Sequence, residues 1–438
     1  MKHKNDIREF AKYSSLNVLG MLGLSCYILA DTYFVAKGLG ANGLAALNLA
    51  IPIYSFVHGT GLMLGMGGAT RYSIAKGQKE EKSVTNQIYS HTVRLAVLIS
   101  FVFVLLGLFQ SKQLTELLLA DLEVFQMTNT YLKVILLFAP AFIMNDVLIC
   151  FVRNDGNPRL AMLAMLGGSL SNVVLDYLFI FPFHMGIFGA VLATGLAPII
   201  SMLILSRHLI KKNKGFTLIK GNLNRRTTFL TFSLGFPSLI TEVSSGIVII
   251  VFNVLILSLL GNIGVAAYGV IANISLVVLA IYTGIAQGIQ PLISKAYGHK
   301  DKSTIKRTVC YALVTVGILS CFIYILLFFY ATPIVSIFNS EQHSQLQSIA
   351  ELGLKIYFTS VVFVGFNIIL SMFFTSIDKP IPAHIISMLR GLLIIIPMAF
   401  LLSTVAGVMG VWLTFPITEG VVALLSGVLF LRIQSRKR

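Results

Sequence analysis

The chain has 438 residues, of which 56% are hydrophobic and only 11% are charged. Soluble domains carry about 25% charged residues, so this composition excludes an ordinary water-soluble fold and indicates that lipid covers much of the surface. The formal net charge of +16 does not indicate a nucleic-acid partner, because the basic residues are concentrated in short segments between apolar runs, as in membrane proteins.

Twelve apolar runs are long enough to cross a hydrocarbon core of about 30 Å as helices. The runs are continuous rather than alternating, which excludes a barrel of transmembrane strands. The predicted fold class is therefore an all-α integral membrane protein with twelve transmembrane helices. In chain order, the predicted spans are 14–36, 46–70, 89–110, 129–152, 160–181, 186–208, 230–260, 265–291, 308–332, 350–376, 383–404 and 408–431.

The distribution of lysine and arginine predicts the topology. Twelve spans place both termini on one side of the membrane, and the segments on that side hold most of the basic residues. The segments on the other side hold only Lys37 and Lys112. Basic loops stay in the cytoplasm, so we expect a multi-pass protein of the plasma (inner) membrane with both termini cytoplasmic.

The second half of the sequence repeats the first at a shift of 221 positions. Leu39–Ala46 lies over Leu260–Ala267, and without a gap Lys79 then lies over Lys300. The repeat predicts two six-helix lobes with the same orientation, a plan common among transporters, in which the substrate path runs between or within the lobes. The predicted division is an N-terminal lobe at 1–209, a basic cytoplasmic linker at 210–228 and a C-terminal lobe at 229–438.

Sequence motifs give no support for an enzyme. The stretch Gly38–Gly43 matches GxGxxG, but it follows a predicted membrane helix rather than a strand, so a tight turn between helices is the better interpretation. The sequence has no GxxxxGK[ST], HExxH, GxSxG or CxxC motif, so we expect no catalytic residue, no cofactor and no metal site beyond a coupling ion.

Polar residues inside the predicted spans are the informative ones, because a carboxylate in the membrane is costly unless it is paired, hydrated or functional. Asn172 and Asp176 share a helix face at i and i+4. Together with Asp31 and Thr194 they form a set of hard oxygens that suits H⁺ or Na⁺. A structural polar network is the alternative, but the repeat places apolar residues at the equivalent positions of the second half, which favours an ion site.

Several other residues are candidates for a substrate pocket. Glu242 in the seventh span either attracts a cationic substrate or pairs with Arg390. Asn145 and Asp146 either line a pocket or lie at a solvated helix end. Tyr27 and Met165 are candidate pocket residues, although single residues of these types are usually packing residues.

Taken together, these features resemble the multidrug and toxic compound extrusion family in its prokaryotic branch. The resemblance covers nearly the whole chain and is carried by Ala30–Val35, Gly40–Ala46, Arg153–Pro158, Asn172–Asp176, Gly186–Thr194, Phe236–Glu242 and Ala266–Pro291. It implies two lobes around a V-shaped chamber and an exchange of drug for H⁺ or Na⁺.

The resemblance also implies roles for individual residues. Asp31, Asn172, Asp176 and Thr194 match the cation site of the N-terminal lobe, Asn145 matches a polar position of the cavity, and Glu242 resembles an acidic position used in some members. Those members have a further acid in the tenth helix. This sequence shows Asn367, Ser371 and Thr375 in that part of the helix, so the resemblance does not extend to a second cation site.

The predicted function is secondary active multidrug efflux, in which organic cations are exported by antiport with H⁺ or Na⁺. The alternative is a flippase for lipid-linked precursors, which would need several cationic residues facing its cavity. The only candidates for such residues in the spans are Arg94, Lys133, Lys355 and Arg390, against acids in the N-terminal lobe, which favours the antiporter. The expected partners are drug-like small molecules and the lipid bilayer, and we expect a monomer.

Overall fold

The computed structural model describes residues 2–118, 121–211, 215–339 and 343–435, and these residues form helices without any strand. The helices are α1 Lys2–Gly77, α2 Lys82–Phe109, α3 Ser111–Leu117, α4 Leu122–Leu137, α5 Ala139–Asn154, α6 Pro158–Ile180, α7 Gly186–Ile210, α8 Arg225–Gly298, α9 Lys302–Phe329, α10 Ala331–Phe338, α11 Ser344–Tyr357, α12 Val361–Ser376, α13 Pro380–Met388 and α14 Ile395–Ser435. A 3₁₀ turn at Phe358–Ser360 joins α11 to α12, and a π-helical turn at Leu389–Leu393 follows α13.

Three long helices are folded into two limbs at a glycine. As one straight rod, the 76 residues of α1 would span about 114 Å, far more than a bilayer. Helix α1 turns at Gly40, where φ is 69° and ψ is −159°. Helix α8 turns at Gly261, where φ is 64° and ψ is −159°. Residues with a β-carbon rarely adopt these backbone angles. The turn predicted within Gly38–Gly43 is confirmed, and it recurs 221 positions later as the repeat requires.

The number of spans agrees with the sequence prediction. Within the described ranges, eight helices are long and apolar enough to cross a membrane, or nine when the α4–α5 pair, bent by 49°, counts as one. Three of these nine divide at Gly40, Gly261 and Gly407, which gives twelve spans. The predicted fold class is therefore confirmed.

Each half of the chain builds its own apolar core. The core of the first lobe, α1–α7, includes Leu64, Tyr72 and Phe151, which are fully buried. The core of the second lobe, α8–α14, includes Phe252 and Trp412, which are equally buried. Two separate cores allow each lobe to move as a unit.

The lobes touch along α1 and α8 at the end of the molecule that carries Lys76 and Lys295, which we call the basic end. A β-carbon at Gly67 would lie 1.9 Å from the carbonyl oxygen of Thr231, and one at Gly235 would lie 1.8 Å from that of Met63. Side chains at these two glycines would force the backbones apart. The lobes are therefore closed against each other at the basic end.

The beginning of α1 extends this contact onto the second lobe. Phe10 belongs to the core of the second lobe, and Asp6 forms an ion pair of 2.5 Å with Arg307 in α9. The first limb of α1 thus contacts both lobes.

The segment between α7 and α8 is attached to the first lobe. Phe216 is fully buried, the Thr217 N–H donates to Asn86 Oδ1 and the Ile219 N–H donates to Ser90 Oγ, both at 2.8 Å. The predicted linker 210–228 includes 212–214, which lie outside the described residues, so its limits stay a prediction.

Asp155, in the turn between α5 and α6, anchors the same segment. Its carboxylate accepts hydrogen bonds from Tyr72 Oη, Lys76 Nζ, His208 Nε2 and the Gly215 N–H at 2.5 to 2.8 Å. Burial acts to raise the pKa of Asp155, but the donors from His208, Lys76, Tyr72 and Gly215 outweigh it and hold that pKa well below its ordinary value.

Candidate cation site and chamber

The four residues predicted to bind a cation lie together inside the first lobe, and all are buried. The Asn172 amide, oriented by its neighbours, donates to Asp176 Oδ2 at 3.0 Å and accepts from the Thr194 N–H at 3.2 Å. The carboxyl groups of Asp31 and Asp176 lie close enough to interact electrostatically. Helix α6 thus supplies Asn172 and Asp176, and α7 supplies Thr194. The first limb of α1 supplies the other acid, Asp31.

This site has unused bonding capacity. Asp31 Oδ1 and Asp176 Oδ1 are buried, and neither has a hydrogen-bond partner among the described residues. Two adjacent buried carboxylates repel each other unless a proton or a cation lies between them. The oxygen ligands therefore fit H⁺ or Na⁺, and the cation-binding role of these residues stays a prediction.

Sequence reasoning missed Tyr131 at this site. Tyr131 in α4 is buried and lies close to Thr194, within electrostatic range of Asp31 and Asp176. Its only signal in the sequence is a phenol inside the predicted span 129–152, which is a weak one.

A chamber consists of two adjoining cavities, the first lined mainly by the first lobe and the second mainly by the second lobe. The four predicted substrate residues, Tyr27, Asn145, Met165 and Glu242, all line the first cavity. Glu242 also lines the second, so it lies where the two meet. These residues therefore lie in the wall of the chamber, and their role in binding substrate stays a prediction.

Asp146 and His58 also line the first cavity. His58 Nδ1 lies 2.9 Å from Asp146 Oδ2, and the His58 ring stacks on Tyr54 with ring centroids 5.9 Å apart. Of the two interpretations of Asn145 and Asp146, the structure supports pocket lining. His58 was missed, although an imidazole inside the predicted span 46–70 was a visible signal.

The second lobe contains a buried polar network. Arg390, in the π-helical turn, donates from Nε and Nη2 to Glu419 Oε1 at 3.1 and 2.8 Å. Asn367 donates to Glu419 Oε2 at 2.7 Å and accepts from Ser426 at 3.0 Å. The alternative in which Glu242 pairs with Arg390 is wrong, because the guanidinium is held by Glu419, an acid in the twelfth span that the sequence argument overlooked.

Both carboxylate oxygens of Glu419 have donors, unlike those of the first lobe. Arg390 supplies a fixed positive charge where an exchangeable cation would otherwise bind.

Comparison with known proteins identifies relatives of the whole chain. A sequence model of the MatE family matches residues 18–178 and 237–401. The chain is similar to the multidrug export protein MepA of Staphylococcus saprophyticus, with 26% identity over 409 residues that cover 93% of this chain and 89% of that protein. It is also similar to MepA of Staphylococcus haemolyticus, with 25% identity over 421 residues that cover 96% and 92%.

Solved structures share the fold. An outward-facing multidrug resistance transporter of the MATE family superposes with a TM-score of 0.91 at 22% identity, and the match covers 98% of this chain and 96% of that one. A MOP superfamily transporter from Pyrococcus furiosus gives the same TM-score and identity, with 99% and 97% covered.

Proposed function

Because the chain belongs to the MatE family, we propose that it is a secondary active transporter that exports drug-like organic cations in exchange for H⁺ or Na⁺. It is a multi-pass membrane protein of a transporter family and not an enzyme. The observation that carries the proposed coupling is the pair of buried, unpartnered carboxylate oxygens on Asp31 and Asp176 beside the chamber.

The cation site and the chamber share structural elements, which supports coupling between them. Thr194 lines the chamber and its N–H donates to Asn172 in the cation site. Tyr27 lines the chamber and lies within electrostatic range of Asp31 and Asp176. Binding of a cation can therefore change the chamber wall. A ligand shifts a conformational equilibrium only through its different affinities for the two states, so drug and cation must favour different states of the first lobe.

The charges of the chamber favour cationic substrates. Asp146 and Glu242 line it, and the positive charge of Arg390 is matched by Glu419. Attraction between unit charges in contact amounts to several kcal/mol at an effective dielectric constant of ~20, enough to select by charge.

The same lining argues against the flippase alternative. Arg94 donates to the carbonyl of Ile219 in the linker, and Lys355 lies 5.4 Å from the ring centre of Phe328. Lys133 is exposed on the outer face of α4. A site for a lipid-linked diphosphate would need such residues to face the chamber.

We further propose that the chain functions as a monomer and that the basic end faces the cytoplasm, because basic loops are retained there. Lys220 is exposed in the linker at this end. A cysteine substituted for Lys220, in a chain without its native cysteines, should resist an impermeant thiol reagent in intact cells and react after permeabilisation. Labelling in intact cells would mean that the basic end faces the outside of the cell, which contradicts the proposed topology.

Transport in inverted membrane vesicles tests the function. Uptake of a fluorescent organic cation should follow either a pH gradient or a Na⁺ gradient when each is imposed alone, and it should stop when an ionophore dissipates that gradient. Uptake that needs neither gradient would exclude antiport, and equal uptake of an anionic dye of similar size would exclude charge selection.

A further inference from the structure

His58 lies between one acid from each lobe. Its Nδ1 is 2.9 Å from Asp146 Oδ2 in the first lobe, and it is within electrostatic range of Glu242 in the second. The side chains of His58 and Asp146 are largely buried, with 15% and 7% exposed. All three residues line the same cavity.

The residues after His58 make this arrangement possible. A β-carbon at Gly61 would lie 2.5 Å from Asp146 Oδ2, and one at Gly59 would lie 3.1 Å from the Glu242 β-carbon. Two glycines on opposite sides of α1 therefore allow an acid from each neighbouring helix to approach the helix that carries the imidazole. The acids come from α5 and α8, so the contact depends on the relative position of the lobes.

The other ionisable groups around His58 are few. Tyr54, in the same limb of α1, stacks on the imidazole and hydrogen-bonds at 2.9 Å to Tyr27 in the first limb. Cys150 lines the cavity from α5, and the lining residues from α6 and α7 are neutral. Asp146 and Glu242 are thus the charges that an imidazolium at this position would meet.

Resting on the proposed export of organic cations, we propose that His58 is a proton-linked specificity residue of the chamber. The cationic group of a substrate and the proton on His58 compete for the carboxylates of Asp146 and Glu242. Protonated His58 pairs with Asp146 and lowers the attraction for a substrate cation. Neutral His58 leaves both acids available, and the rings of Tyr27, Tyr54 and Phe142 surround the apolar part of the ligand.

The test is equilibrium binding of tetraphenylphosphonium to the purified full-length protein between pH 6 and 9. This probe carries a permanent charge, so only the protein titrates. Binding should tighten as the pH rises, by up to about tenfold per pH unit across the range in which His58 loses its proton. In a chain that also carries Asp31→Asn, which removes one acid of the cation site, His58→Gln should bind tightly with little pH dependence. His58→Lys in the same background should bind weakly throughout, because lysine stays charged.

Measuring the protons released on binding distinguishes the contribution of His58 from that of the cation site in the first lobe. In an Asp31→Asn background, in which that site lacks one acid, tetraphenylphosphonium binding at pH 7 should still release protons into a weakly buffered solution. The double variant Asp31→Asn/His58→Gln should release none. In the Asp31→Asn background, a pH dependence of binding or a proton release that survives His58→Gln would overturn the proposal. Absence of binding to the wild-type protein would instead contradict the proposed function itself.

Discussion

Arg153 of the first lobe donates a hydrogen bond of 2.7 Å to Gln287 of the second lobe. The guanidinium is fully buried, and its other oxygen partner is Asn17 Oδ1 at 2.8 Å. One residue further along α5, Asn154 donates to Gln290 at 2.9 Å, so two neighbouring side chains join the lobes at the basic end. These bonds have to break before the chamber can open there.

Removing the acceptor at Gln287 should favour opening at the basic end. Hydrogen bonds to charged groups contribute about 1.5–3 kcal/mol, so Gln287→Leu should raise the population of the open form about tenfold or more. The measurement is the rate at which a maleimide labels a Ser14→Cys substitution, in a chain whose native cysteines are replaced, because Ser14 is buried against Gly288. Gln87→Leu, at an exposed position of α2, is the control and should leave the rate unchanged.

Replacing either acid of the cation site should abolish coupling without preventing folding. Asp31→Asn and Asp176→Asn remove a charge and keep the shape, so each variant should insert and purify as monodisperse protein while gradient-driven efflux falls to background. Asn253→Ala, in the equivalent helix of the second lobe next to the counterpart of Asp31, should be much milder. Near-normal efflux by either Asp variant would show that coupling occurs elsewhere.

The Arg390–Glu419 pair should behave as a structural unit of the second lobe. Glu419→Gln leaves a largely buried guanidinium without its counter-charge, which typically costs about 3–5 kcal/mol. The double variant Arg390→Met/Glu419→Gln should lose less stability than the sum of the two single variants, as measured by thermal unfolding in detergent. Strict additivity would mean that the two side chains do not stabilise each other.

The turn at Gly40 should tolerate no β-carbon. Gly40→Ala meets no neighbouring atom within 4 Å, so its entire cost comes from the backbone angles, about 1–3 kcal/mol. Gly317→Ala is a matched control inside α9, where the added methyl also meets nothing and the residue is helical. The control should be neutral or slightly stabilising in the same unfolding assay. Equal effects of the two substitutions would contradict the assigned turn.

Asp155 should make the stability of the protein depend on acidic pH. Because its folded-state pKa lies below the ordinary value of 3.8, its contribution is fully present above that pH and is lost as the pH falls through the folded-state pKa. Asp155→Asn should therefore unfold at a lower temperature than the wild type at pH 7, and this difference should shrink as the pH drops below about 4. A difference that stays constant from pH 7 to pH 3 would exclude the charge of Asp155 as its cause.

The sequence by itself determined the membrane class, the twelve spans and the repeat, because these follow from length, hydropathy and spacing along the chain. It also selected Asp31, Asn172, Asp176 and Thr194, since a carboxylate inside an apolar run is conspicuous wherever the helices pack. The turn within Gly38–Gly43 was readable because an apolar run long enough to span the membrane precedes it and another follows it, and the repeat places Leu260–Ala267 at the equivalent position.

Only the tertiary structure decided which polar residues face one another. Glu242 and Glu419 are both acids in apolar spans, and the sequence alone does not say which of them pairs with Arg390. The packing of the last two spans places Arg390 against Glu419. His58 and Tyr131 acquired their importance in the same way. A hydrogen bond depends on ångström-scale separations between helices that are distant along the chain, and no local pattern of residues encodes such a distance.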